Sequence, residues 1–167
     1  MHDATLLGTL NRSLSEEAEL RQADPESFVS RFTRVWASPE PEAFAELWAD
    51  DGVLLHPTMG HSIPKAEIPD YVRRLKSFVP DISLKPTRWA CSGKELFIEW
   101  TISMTPPGSD ELVSWDGVDR FTLDGDRARE GIAYFDTSPI WARMGATPDE
   151  GDLLDAAARR QTEASTV

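Results

Sequence analysis

Two residues of this chain, Asp119 and His56, have the chemistry and the setting for proton transfer. Asp119 lies in the stretch from Trp115 to Asp136, WDGVDRFTLDGDRAREGIAYFD, which reads as two alternating runs joined at Asp124-Gly125. Asp-Gly between such runs predicts a hairpin, because glycine accepts the positive φ that tight turns need. Side chains alternate along a strand, so Val113, Trp115, Gly117, Asp119, Phe121 and Leu123 share one face, on which Asp119 is the one carboxylate. A charge facing a core is costly unless it is paired, protonated or set in a polar cavity. Either a structural ion pair or a bulge turns Asp119 outward, or it faces a pocket as a group of perturbed acidity.

His56 ends the short strand Val53-Leu54-Leu55-His56, and Pro57 holds it extended by crowding the preceding residue. Imidazole titrates at ~6.5, close to the pH at which general-base transfer is efficient. As a purely structural residue it would be a packed histidine with its nitrogens on backbone groups. Together with Asp119 it permits two arrangements. In one, an apolar pocket keeps Asp119 neutral as a hydrogen-bond donor to a developing enolate while His56 is the base. In the other, the two ionise as His⁺ and Asp⁻ and the carboxylate orients the ring. His56 and His61 with Asp50 and Asp51 do not make a metal motif, since the interval between the histidines crosses Pro57 and Gly60 and no third ligand has characteristic spacing. No metal and no cofactor are expected, and neither a glycine-rich phosphate loop nor a nucleophilic serine elbow occurs.

Capping signals and apolar periodicity define the segments around this pair. Residues 1–23 are polar and irregular; Ser13 to Glu17 resembles a helix start with little apolar periodicity behind it, so a loosely docked extension is expected. Asp24-Pro25-Glu26 is a stronger start, and Phe28, Val29, Phe32, Val35 and Trp36 give the helix an apolar face up to Ser38-Pro39. A second helix is expected over Pro41 to Ala49. A third is expected over Lys65 to Phe78, with Ile68, Tyr71, Val72 and Leu75 on its buried face. Strands are expected over Ile82 to Cys91 and Glu95 to Thr105, the latter with Leu96, Ile98, Trp100, Ile102 and Met104 on one face. Helices first and a four-strand meander last indicate an α+β fold, with helices on one side of a curved, mainly antiparallel sheet. After Asp136 the apolar pattern thins. Thr147-Pro148-Asp149-Glu150 has capping-box spacing but Gly151 weakens the helix beyond it, so residues 141–167 are expected to form a surface helix or mobile tail.

Composition narrows the partners. At 167 residues the chain fits one domain with a real core. With 29 acidic against 17 basic residues the formal charge is −12, a field that repels phosphate backbones and anionic membranes, so neither nucleic acid nor membrane is expected as a partner. Cys91 stands alone and cannot form an internal disulfide, which suits a reducing compartment. No apolar run approaches the ~18 residues of a membrane span and residues 1–20 lack a signal-peptide pattern, so a cytoplasmic protein is expected.

Four segments, in this order, resemble the SnoaL-like and ketosteroid-isomerase-like branch of the nuclear transport factor 2-like superfamily. They are the first helix, Leu47-Trp48-Ala49-Asp50-Asp51-Gly52-Val53 leading to His56-Pro57, the Ile68-Tyr71-Leu75 helix, and Gly117-Val118-Asp119-Arg120-Phe121 with Tyr134-Phe135-Asp136 after it. The resemblance covers residues 24–140. It implies a cone in which three N-terminal helices close over the curved sheet and leave an apolar pocket, and a homodimer formed through the sheet. It places His56 where ketosteroid isomerases have their aspartate base. Asp119 falls where those enzymes have a protonated aspartic acid and SnoaL-like cyclases an acid/base aspartate. Phe32, Trp36, Trp100, Trp115, Phe121 and Phe135 are then the expected substrate-binding residues. Two departures stand out. Those isomerases use a tyrosine from the first helix, which here offers Phe32 and Trp36; limonene-type epoxide hydrolases need an Asp-Arg-Asp set, one position of which is Ala133 here. The resulting expectation is a cofactor-independent isomerase, cyclase or dehydratase acting by acid/base proton transfer on an apolar carbonyl compound, small or polycyclic. The alternative is a non-catalytic ligand-binding or dimerisation module of the same fold.

Overall fold

Asp24 starts the first helix by accepting a hydrogen bond from the Ser27 amide at 3.1 Å, and Pro25 sits in the first turn, where no amide donor is needed. This helix, α1 (Pro25–Ala37), buries Phe28, Phe32, Val35 and Trp36. The structure is a computed structural model and describes residues 21–164; the helix start read at Ser13 lies outside the described residues. Helix α2 covers only Pro41–Ala45, whereas the sequence pattern extends it to Ala49. The sheet takes the remainder. The Leu47 carbonyl accepts from the Ala128 amide at 2.9 Å and Trp48 pairs with Ala128, so strand β1 runs from Trp48 to Leu55. Its register shifts between Trp48 and Val53, and a β-carbon on Gly52 in that interval would come within 2.8 Å of the Ala128 carbonyl oxygen.

A two-residue strand β2 (Ile63–Pro64) and a 3₁₀ turn (Lys65–Glu67) lead into α3 (Ile68–Phe78), so the third helix begins three residues later than its apolar pattern suggests. Strands β3 (Ser83–Ser92), β4 (Glu95–Met104), β5 (Val113–Asp124) and β6 (Arg127–Tyr134) come next. The six strands form one sheet in the order β2-β1-β6-β5-β4-β3. All pairs are antiparallel except β1 with β6. The last hairpin turns at Gly125-Asp126, one residue later than read from the sequence, with Gly125 at φ +63°.

The alternation in β4 is obeyed: Leu96, Ile98, Trp100, Ile102 and Met104 are all buried on the inner face of the curved sheet, under the helices. On the outer face Phe97 and Tyr134 stay 43% and 51% exposed, which leaves an aromatic surface outside the core; Trp89, opposite Ile98 on the inner side of the edge strand β3, is also exposed. The C-terminal segment differs from its sequence reading as a surface helix or tail. Helix α4 (Ser138–Arg143), a 3₁₀ turn (Pro148–Glu150) and helix α5 (Leu153–Ala164) contribute Ile140, Trp141, Leu153, Leu154 and Ala156 to the same core. The capping box of Thr147 and Glu150 closes only the 3₁₀ turn, because Gly151 comes next at φ +85°. Asp152 then caps α5, accepting from the Leu154 and Asp155 amides at 2.8 and 3.2 Å.

Candidate active site

Strand register brings the two chemical residues to one place. Asp119 on β5 pairs with Ile98 of β4 on one side and Ala133 of β6 on the other. Leu55, the last residue of β1, pairs with Ile132, so His56 comes level with Ala133 from the opposite side. Two strand spacings set the backbones of Asp119 and His56 on the order of 10 Å apart. Ala133 between them has only a methyl group to fill that gap. Both residues line a cavity of about 100 Å³ beneath the helices, and Phe32, Trp36, Trp100, Trp115, Phe121 and Phe135 line it too. No hydrogen bond joins His56 to Asp119.

Asp119 points inward, and the nearest irregularity of β5, between Thr122 and Leu123, lies farther along the strand. Its surroundings are Ile98 and Ala133 across the strands, Gly117 and Phe121 along β5, and the Trp100 indole. Burial therefore pushes the carboxyl up to about 7. The Trp100 indole N–H acts in the opposite direction and favours the anion, although Trp100 Nε1 and Asp119 Oδ1 are both buried without a hydrogen-bond partner. Such a carboxyl changes charge near neutral pH, which is where an acid/base group works.

His56 has the opposite perturbation. Burial pushes its imidazole down to about 4, against a weaker upward pull from Asp152, so the ring is neutral at pH 7 rather than partly charged. Its Nδ1 lies 2.8 Å from Thr58 Oγ1, and the ring centroid is 6.0 Å from Tyr71 and 5.4 Å from Phe135. Tyr71 comes from α3 and lines the same cavity. Burial first, then the negative charges of Asp119 and Asp152, raise its phenol above the ordinary range, so it remains a donor. His61 is elsewhere, in a groove with Met59, Glu67, Asp70 and Arg74, and among the described residues no group of His, Cys, Asp and Glu could hold a metal.

Sequence reasoning missed Tyr71, Thr58 and the cover made by Ile140, Met144, Leu153 and Leu154. Tyr71 was legible as a polar-tipped residue on an otherwise apolar helix face, and Thr58 as a hydroxyl two residues from a histidine. The cover had no comparable signal. It is anchored by the Leu153 amide donating to the Thr58 carbonyl at 2.9 Å, and by Arg74 of α3 reaching Asp155 at 2.6 Å and Asp152 at 3.4 Å. Among the described residues no helix is long and apolar enough to cross a membrane.

Solved structures with this architecture include a hypothetical protein with a ketosteroid isomerase-like fold from Catenulispora acidiphila, in complex with trimethylamine. It is 18% identical, with a TM-score of 0.65 over 73% of this chain and 95% of that one. IdmH, a putative polyketide cyclase from Streptomyces antibioticus, is 15% identical with a TM-score of 0.62, over 74% of this chain and 99% of its own. A putative SnoaL-like polyketide cyclase from Jannaschia is 12% identical with a TM-score of 0.61, over 74% of this chain and 95% of that one. These likenesses establish the fold, which is the nuclear transport factor 2-like cone. Comparison with curated protein sequences found no match. The family model for the SnoaL-like domain matches residues 29–131, which spans β1, the Asp119 strand and most of β6, and the chain belongs to the SnoaL-like domain family.

Proposed function

We propose that the chain is an enzyme that moves a proton on a small apolar carbonyl compound, as an isomerase, cyclase or dehydratase. The observation that supports it is an unpaired carboxyl raised to about 7 in an apolar cavity, facing a neutral imidazole and a neutral phenol across Ala133. Asp119, as carboxylate, takes a proton from a carbon beside the carbonyl. The electron pair moves onto the carbonyl oxygen, where His56 and Tyr71 stabilise the enolate, and the proton returns at another carbon or departs with a leaving group. Asp119 ends the isomerisation ionised, as it began. Trp36, Trp100, Trp115 and Phe135 supply the apolar wall that holds a planar substrate and keeps the carboxyl dehydrated.

The cavity selects for size. At about 100 Å³ it is smaller than the ~150 Å³ engineered cavity that takes up benzene, so a polycyclic ligand needs α4 and α5 to move aside. The test is solvent deuterium exchange: small ketones and enones that bind, as seen by ligand NMR, are incubated in heavy water with the protein. Wild type should exchange the carbon-bound proton, and Asp119→Asn and His56→Ala should each slow it by about 10²-fold. Ligands that bind without exchange would replace this reading with the second one.

That second reading is a non-catalytic binding or dimerisation module. The exposed aromatic surface of Phe97 and Tyr134 favours a homodimer through the outer face of the sheet under either reading. Sedimentation at high micromolar concentration should give twice the 18.6 kDa chain mass, and a monomer there would count against it.

A further inference from the structure

We propose that Thr58 fixes His56 as the Nε2–H tautomer, so that the imidazole acts as a hydrogen-bond donor to the substrate oxygen. The inference rests on the reaction proposed above and assigns His56 a role other than that of the base.

Two groups of Thr58 converge on one nitrogen. Its Oγ1 lies 2.8 Å from His56 Nδ1, and its backbone amide points at the same nitrogen at 3.5 Å. An amide N–H can only donate, so at 3.5 Å, the outer limit of a hydrogen bond, it adds a weak preference for a lone pair on Nδ1. The hydroxyl argues the same way. Thr58 is 6% exposed, and among the described residues its hydroxyl hydrogen meets no acceptor except Nδ1. With the proton on Nδ1 instead, the ring N–H would confront the amide N–H and the buried hydroxyl hydrogen would lose its acceptor. The proton of the neutral ring therefore belongs on Nε2, which forms no hydrogen bond within the protein among the described residues.

The turn that carries this contact is held at both ends. The Met59 amide donates to the His56 carbonyl at 3.0 Å, and the Thr58 carbonyl accepts from Leu153 at 2.9 Å. Thr58 is thus a positioning residue, tied to the helix that covers the cavity. The other groups around the ring are Tyr71 from α3, Phe135 at the end of β6 and Asp152 ahead of α5, with Asp119 beyond Ala133. None competes for Nδ1. A neutral Nε2–H polarises a carbonyl without giving up its proton, which leaves both proton removal and return to Asp119.

The experiment is long-range ¹H–¹⁵N correlation of the imidazole nitrogens in the full ¹⁵N-labelled chain at pH 7, with His56 identified among the three histidines by the signals lost in His56→Gln. Nδ1 should show the shift of an unprotonated nitrogen and Nε2 that of a protonated one. Thr58→Ser should preserve this pattern, and Thr58→Val should move His56 toward the other tautomer or a mixture. With a compound that exchanges, Thr58→Val should lower kcat by about tenfold or more, and Thr58→Ser should restore it. A protonated Nδ1 in wild type overturns the proposal, as does an unchanged tautomer in a folded Thr58→Val. The spectra need no substrate, so this outcome is independent of whether exchange is seen.

Discussion

Trp100 packs the six-membered part of its indole against Gly117 on the neighbouring strand, so close that a β-carbon on residue 117 would come within 2.3 Å of the ring. Gly131 makes the same room for Trp48, at 2.4 Å. These glycines exist for close approach, and their positive-φ freedom is not in use. The indole over Gly117 forms the wall beside Asp119. Gly117→Ala should therefore displace Trp100 and destabilise the fold by about 1–3 kcal/mol, the range for overpacking, as read from urea midpoints. It should also let water reach Asp119 and lower its pKa. An unchanged midpoint would mean that the ring relaxes freely and does not set the wall.

The two titrating groups act on stability in opposite directions over nearly one pH window. Asp119 titrates near 7 in the fold and 3.8 when unfolded, so the folded chain holds a proton the unfolded chain has lost, and stability falls as pH rises between those values. His56 titrates near 4 in the fold and 6.5 when unfolded, so the unfolded chain holds the extra proton and stability rises over that interval. Each slope is about 1.4 kcal/mol per pH unit, and between pH 4 and 6.5 they largely cancel. Single variants should unmask them. Asp119→Asn should gain stability as pH rises through this window and exceed wild type at pH 8 by on the order of 2–4 kcal/mol; His56→Gln should lose stability from pH 4 to 7. Parallel pH profiles for the two variants would contradict the assignment.

How far the sequence carried depended on the kind of signal. Strand parity placed Asp119 on the inner face because its neighbours Phe121 and Leu123 are unambiguous, and the register that sets it beside Ala133 is what parity alone lacks. The Asp24-Pro25 start was legible because a cap is local chemistry. Residues 46–49 were misplaced because Leu47 and Trp48 suit a helix face as well as a strand, and pairing with Ala128, far along the chain, decides between them. The C-terminal cover was hidden for another reason. Ala156 and Ala157 bury almost completely while contributing little to an apolar pattern, and the contacts that seat the helix, from Arg74 and Thr58, come from distant segments.

The cover should be the part of the molecule most easily loosened. Asp152 both caps α5 and meets Arg74, so Asp152→Ala should cost about 1–2 kcal/mol, the range for losing a helix cap. The local effect should exceed the global one: amide hydrogen exchange over residues 153–160 should accelerate well before that of β4 and β5. Larger apolar ligands should then bind more readily. Uniform acceleration across the chain would show that the C-terminal segment opens only with global unfolding.

The ionisation of Asp119 carries the proposed chemistry. Its direct measurement is the pH titration of the side-chain carboxyl carbon by ¹³C NMR, with the signal assigned by its loss in Asp119→Asn. A midpoint near 7 is expected, together with an exchange rate that falls as pH drops below that value, because the base is then protonated. A midpoint near 4, the ordinary carboxylate value, would show that water reaches the carboxyl freely and would remove the physical basis for Asp119 as the proton carrier.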